Sequence, residues 1–140
     1  MLSVYPACFF KEDNGYSVIF PDLNYLATCG ETLNEAMEMA IDCLAGYLYS
    51  AKLEDEEIPS PSSMNEVDPV ALAKELEVEA DEYFVNLVSV DVDEYAKSHF
   101  NKSVKKTLSI PEWLNREAVN KKINFSQVLQ EALIAKLRSL

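Results

Sequence analysis

Glycine is scarce in this chain: Gly15, Gly30 and Gly46 are the only three in 140 residues. No glycine-rich phosphate loop can be assembled from positions so far apart. His99 is the single histidine, and no Ser/His/Asp set accompanies it, which removes the usual routes to nucleophilic catalysis. The three cysteines, Cys8, Cys29 and Cys43, are odd in number and sit in apolar segments without metal-ligand spacing. They are expected to be reduced core thiols rather than a zinc site, a redox pair or a disulfide framework. No apolar run reaches the roughly 18 residues of a membrane-spanning helix, and MLSVYPACFF lacks a basic leader and a small-residue cleavage site. The expectation is a cytoplasmic protein with no membrane partner and no cofactor.

What is present is apolar and acidic. Hydrophobic residues make up 49% of the chain, enough to bury a core and to argue against global disorder. The net charge of −12 is unevenly spread. Residues 1–100 hold 4 Lys and no Arg against 21 acids, a net of −17, whereas residues 101–140 hold 8 Lys plus Arg against 3 acids, a net of +5. The first part repels nucleic acid and complements a basic protein; the second is drawn to phosphate.

The N-terminal part reads as sheet, then helix. Leu2–Lys11 is strand-like, Asp13-Asn14-Gly15 is a hairpin signal, and Tyr16–Phe20 forms the return. Pro21, Asp22 and Asn24 mark a turn before a third strand, Tyr25–Cys29. After Gly30, Thr32 and Glu35 make a capping-box pair, and Leu33, Ala36, Met37, Ala40, Ile41, Leu44 and Leu48 share one helical face. Glu54–Ser63, acidic and then rich in Pro and Ser, reads as a solvated connection. Asp68-Pro69 opens a short helix running to Glu79, and Tyr83–Val92 is rich in strand formers and returns to the sheet. Residues 93–101 are then expected to link two domains, 1–92 and 102–140.

The last forty residues have a different design. Val104, Lys106, Leu108 and Ile110 alternate with Lys105, Thr107 and Ser109, so a strand there has an apolar inner face and a polar outer one. Lys106 is the exception, a charged stem at an inward position that can snorkel. Pro111 stops the strand and opens a helix. Asn124 caps a second, amphipathic helix with Gln127 at capping-box spacing and Ile123 and Val128 placed as a staple. One strand cannot bury its apolar side alone, so a second copy is the expected partner, with Val104, Leu108, Ile110, Leu129 and Leu133 at the dimer contact.

This order of strand and two helices resembles the ribbon-helix-helix dimers that bind DNA. Upstream, Phe20-Pro21-Asp22, the spaced Thr28, Gly30 and Thr32, Glu35-Ala36, and the later PSPS resemble HicB-type antitoxins of type II toxin–antitoxin systems. The resemblance spans essentially the whole chain. It implies an α+β protein: an N-terminal partial ribonuclease-H-like domain of three-stranded meander, helix and returning strand, plus a C-terminal ribbon-helix-helix domain. It further implies a non-enzymatic antitoxin that blocks a small basic mRNA-cleaving toxin of the HicA type and represses its own operon. The implied assembly is a homodimer, forming a heterotetramer or larger complex with toxin. Toxin contacts are expected near the signature turn, at Phe20, Pro21, Asp22 and Tyr25.

For DNA, a two-stranded ribbon would present Lys105, Thr107 and Ser109 to base edges in the major groove. Asn124 and Ser126, at a helix N-terminus where free N–H groups favour anions, would grip phosphate, with Lys121 and Lys122 adding attraction. The plainer readings are a polar edge and simple helix capping. Two rival functions remain: a stand-alone ribbon-helix-helix repressor whose N-terminal domain senses a small ligand, and a metal-dependent nuclease using carboxylates such as Asp22. The acids favour a solvated surface over the latter, since Asp13 and Asp22 fall in turns, Glu54–Glu57 in a polar run, and Asp91 and Asp93 at a strand end.

Overall fold

The computed structural model describes residues 1–140, which divide into two units, Met1–Lys102 and Ser103–Leu140. In the first, β1 (Ser3–Glu12), β2 (Gly15–Phe20), β3 (Leu26–Gly30) and β4 (Glu82–Val90) form one antiparallel sheet in the order β3-β2-β1-β4. The β1–β2 hairpin turns at Asp13-Asn14, and Gly15 follows at φ 139°, a conformation that excludes a side chain. Proline in a central strand is unusual because it removes a ladder donor. Pro6 lies opposite Leu87 of β4, and the Leu87 N–H bonds instead to Asn86 Oδ1 at 3.0 Å. That pair is therefore a non-hydrogen-bonded one. Pro6 then points its nitrogen past the end of β2, where no acceptor needs it.

Both faces of β1 are covered. Tyr5, Ala7 and Phe9 join Val18, Phe20, Val88 and Val90 beneath α1 (Leu33–Leu53), whose Ala36, Ala40, Leu44 and Leu48 are buried against them. The predicted helix face is thus the packed one, except that Leu33 remains exposed. On the opposite face Cys8, Phe10 and Ile19 pack against Leu72 and Ala73 of α2 (Pro69–Glu75). Burial, with a lesser push from nearby Asp68, raises the Cys8 thiol to about 11. Cys29, by contrast, is exposed on β3 and is not a core thiol.

Glycine scarcity leaves a mark on the helix ends. Helices commonly finish with a left-handed glycine. Here Asp55 (φ 54°) after α1 and Glu77 (φ 55°) after α2 take that position, with Glu56 N–H reaching Ala51 O and Val78 N–H reaching Ala73 O. Glu77 is why α2 stops at Glu75 rather than continuing to Glu79. The N-terminal cap of α1 is also offset from expectation: Thr32 Oγ1 accepts from Glu35 N–H at 3.1 Å, while the Glu35 carboxylate accepts from Glu31 N–H rather than Thr32 N–H.

Two expectations need correction. Residues 93–101 are not a connection; Val92–His99 form α3, capped by Asp91, which accepts from Glu94 N–H at 3.2 Å. Tyr95 donates its hydroxyl to Asp42 of α1 at 2.9 Å, and Phe100 lies on Tyr49 with centroids 5.4 Å apart. Burial and that carboxylate push the Tyr95 phenol up to about 12. Glu54–Ser63 has no regular structure, yet it is tied down: Tyr5 donates to Pro59 O at 2.5 Å, and Ser62 donates through N–H and Oγ to Asp22 at 2.8 and 2.7 Å.

The second unit contains α4 (Glu112–Asn120) and α5 (Phe125–Arg138). Between them Lys122 (φ 55°) occupies the left-handed cap, with Ile123 N–H to Ala118 O at 3.0 Å and Lys122 N–H to Val119 O at 3.0 Å. Residues 101–111 form no strand in the single chain. A ladder requires a second strand, and no other strand of the chain pairs with this segment.

Candidate functional site

The end of β2 builds the feature that distinguishes the N-terminal unit. Phe20 and Leu23 are fully buried and anchor the turn from below, with Pro21–Leu23 forming one short 3₁₀ turn between them. Asn24 and Tyr25 follow at φ 57° and 58°, two consecutive left-handed residues. Asparagine accepts this conformation readily; for tyrosine it is uncommon and costs on the order of 1 kcal/mol. The strained turn lifts the Tyr25 ring into solvent, where it is 46% exposed. Of the four expected contact residues, Pro21, Asp22 and Tyr25 therefore reach the surface together. Phe20 does not; it belongs to the core under α1.

Pro21, Asp22 and Tyr25 line an open cleft of about 240 Å³ whose other walls come from the Ser62–Asp68 segment and α2. Four carboxylates border it, from Asp22, Glu66, Asp68 and Glu75, and no Lys or Arg does. Three have defined anchors: Asp22 holds Ser62, Glu66 accepts from Ser63 N–H and Oγ at 3.2 and 3.0 Å, and Asp68 caps α2 through Val70 N–H at 3.0 Å. Hydrogen bonding fixes these groups without neutralising them, so the cleft is a preorganised acceptor for cationic side chains with an aromatic face beside it. Sequence reasoning found Asp22 and Tyr25 through the turn. Glu66, Asp68 and Glu75 were missed, because only the fold of Ser62 onto Asp22 brings them alongside.

In the C-terminal unit Lys105, Thr107 and Ser109 are exposed in the non-helical segment before α4. Asn124 Oδ1 accepts from Gln127 N–H at 3.2 Å, confirming the cap, while the Gln127 amide turns to Glu131 instead of completing a box. Ser126 lies in the first turn of α5, and Lys121 and Lys122 in the turn before it. No residue of α4 or α5 is buried. Val104, Leu108, Ile110, Leu129 and Leu133 are all exposed, as are Phe125 at the start of α5 and Trp113, which the sequence reading passed over. A tryptophan in the first turn of α4, beside Leu114, was the available signal.

No group of three or more His, Cys, Asp and Glu side chains is placed to hold a metal ion. No helix is long and apolar enough to cross a membrane. The features that remain are an acidic α+β body with a carboxylate-rimmed cleft and a basic two-helix unit without a core. Their charges, with the boundary drawn at Lys102, are −16 and +4. The chain thus joins two units of opposite charge.

The family is fixed by comparison: residues 5–137 match the model of HicB-like antitoxins of bacterial toxin–antitoxin systems, and the chain belongs to that family, whose members are non-enzymatic regulators. Two curated relatives from Photorhabdus laumondii share local similarity: Antitoxin HicB 2 is 40% identical over 63 residues, covering 44% of this chain and 45% of that protein. Antitoxin HicB 1 is 38% identical over 68 residues, covering 46% and 44%. The alignments thus span less than half the length of these relatives. A solved structure described as a toxin–antitoxin complex from Streptococcus pneumoniae contains a chain 35% identical to this one, with a TM-score of 0.63, covering 97% of this chain and 99% of that one.

Proposed function

We propose that this protein is an antitoxin that binds and inhibits a small basic mRNA-cleaving toxin of the HicA type through its N-terminal unit and represses its own operon through its C-terminal unit. The observation that carries the proposal is the opposition within one chain of an acidic folded body and a basic module that buries nothing on its own. The carboxylates of the Asp22–Tyr25 cleft receive toxin lysines or arginines, and electrostatic steering speeds the encounter. In the C-terminal unit two copies pair residues 104–110 as an antiparallel ribbon. Val104, Leu108, Ile110, Leu129 and Leu133 then form the shared core of a homodimer, and the N-terminal sheet corresponds to the partial ribonuclease-H-like domain of such antitoxins. Lys105, Thr107 and Ser109 face the major groove, and the α5 N-terminus with Asn124, Ser126, Lys121 and Lys122 sits on the phosphates.

Co-expression with a HicA-type toxin, the product of a neighbouring small open reading frame where one exists, tests the first half. Co-purification and relief of growth arrest are expected, and failure of both refutes it. Operator binding in a shift assay tests the second. Lys105→Ala and Thr107→Ala are expected to weaken the complex while the dimer persists, and unchanged affinity refutes readout by this segment.

A further inference from the structure

We infer that β4 is a homotypic pairing edge, through which a second copy of this chain extends the N-terminal sheet. The inference does not depend on the identity of either partner above. β4 is a nine-residue strand at the sheet margin, hydrogen-bonded to β1 on one side and to no strand on the other. The Pro6–Leu87 pair fixes the parity of its backbone: Tyr83, Val85, Leu87 and Ser89 aim their N–H and C=O groups outward. The only partner any of these groups has is the Asn86 side chain on the Leu87 N–H. Long uncovered edges are ordinarily defended by lysine, proline or a bulge. This one carries no lysine or proline, and Tyr83 and Leu87 stand exposed along it.

The sequence EYFVNLVSV fits its own copy. An antiparallel two-fold through Asn86 overlaps all nine residues and sets Val85 against Leu87, Tyr83 against Ser89, and Phe84 against Val88. Every outward group then meets an outward group of the copy. The only charge in the strand, Glu82, faces Val90 instead of its own mate. Just beyond the strands Asp81 meets Asp91, whose carboxylate is already engaged by the Met1 ammonium at 2.9 Å. Any register displaced along the strand leaves outward groups unpaired. A basic partner is the competing occupant, but an edge with one charge gives it little to recognise. Because both bodies are acidic, the pairing strengthens as salt screens their repulsion.

The axis makes Asn86 a non-hydrogen-bonded pair, the closest kind, with Cα atoms about 4.5 Å apart, within reach of a disulfide. The test uses the full chain carrying Asn86→Cys and Cys29→Ser, the latter removing the exposed native thiol. Mild oxidation is expected to give a 86–86 cross-link by peptide mapping, with a higher yield at higher salt. Leu87→Pro, which removes an outward donor at an edge site that tolerates proline, is expected to abolish the link while circular dichroism stays native. Leu87→Lys serves the same purpose if the proline variant does not fold. A folded Asn86→Cys chain that forms no 86–86 link overturns the proposal. So does hydrogen exchange in which the outward amides of Tyr83, Val85 and Ser89 are free in the chain alone and become protected only on adding a basic protein partner, which assigns the edge to that partner.

Discussion

Replacing Asp22 by alanine isolates the contact that shapes the acidic cleft. Its carboxylate accepts from both Ser62 N–H and Ser62 Oγ, and with the Tyr5–Pro59 bond it holds the 54–63 segment against the sheet. Hydrogen bonds to a charged acceptor contribute about 1.5 kcal/mol each at the low end suited to a half-buried site, and the neutral Tyr5 bond about 1 kcal/mol. Closing a flexible stretch of about ten residues costs about 2 kcal/mol. The segment is therefore closed by roughly 2 kcal/mol in the native chain, and losing about 3 kcal/mol on Asp22→Ala tips it open. The loss is local, since the core under α1 does not depend on it. Hydrogen exchange is the assay: the Ser62 amide is expected to be protected in the native chain and to exchange freely in the variant, with the thermal midpoint nearly unchanged. Asp22→Asn, which keeps one acceptor oxygen without the charge, falls between them. An unchanged Ser62 exchange rate refutes the anchoring role, and a midpoint drop matching the local loss shows that the segment unfolds only with the whole unit.

Gly30→Ala is expected to destabilise the N-terminal unit by about 3 kcal/mol or more, since the new Cβ would lie 2.4 Å from Ala36 N and 2.7 Å from Ala36 Cα, both backbone atoms; urea titration measures it. Lys122→Gly relieves the left-handed cap between α4 and α5 and should stabilise that unit by about 1 kcal/mol while weakening DNA binding through the lost charge, so melting and shift assays must move in opposite directions. Leu108→Asp places a charge at the expected ribbon core and should cost the dimer about 2 to 4 kcal/mol, visible by sedimentation. In alkali, Cys8 and Tyr95 keep their protons in the folded chain while the unfolded chain loses them. Their contribution is present in full below pH 9 and lost between pH 9 and 12, so urea midpoints should fall across that window and fall less in Cys8→Ala.

Local signals carried most of the N-terminal fold. Asn14-Gly15 located the hairpin, Thr32 the start of α1, and the Ala36–Ala40–Leu44–Leu48 spacing its buried side. Features that depend on distant residues were not legible. α3 is eight residues of mostly polar composition, and its packing rests on Tyr95 and Phe100 meeting Asp42 and Tyr49, some fifty residues earlier. Glu77 ends α2 in a conformation its side chain does not advertise. Phe20 sits in the most recognisable motif of the chain, yet the alternation of β2 turns it inward, leaving Pro21, Asp22 and Tyr25 to form the surface.

The C-terminal unit inverts this relation between sequence and structure. Its alternation at Val104–Ile110 is broken only by Lys106, but one chain gives it nothing to pair with, and α4 and α5 contribute no buried residue to compensate. A unit of thirty-eight residues with Leu108, Trp113, Leu129 and Leu133 all in water lacks the burial that offsets its ordering entropy. If two copies pair as proposed, folding of this unit and its self-association are one equilibrium. On that proposal the population of folded dimer able to bind DNA falls as protein concentration falls. The proposed repression would then be sensitive to antitoxin level in a way that the self-sufficient N-terminal body is not. Dilution should release the operator before it unfolds the α1-covered sheet.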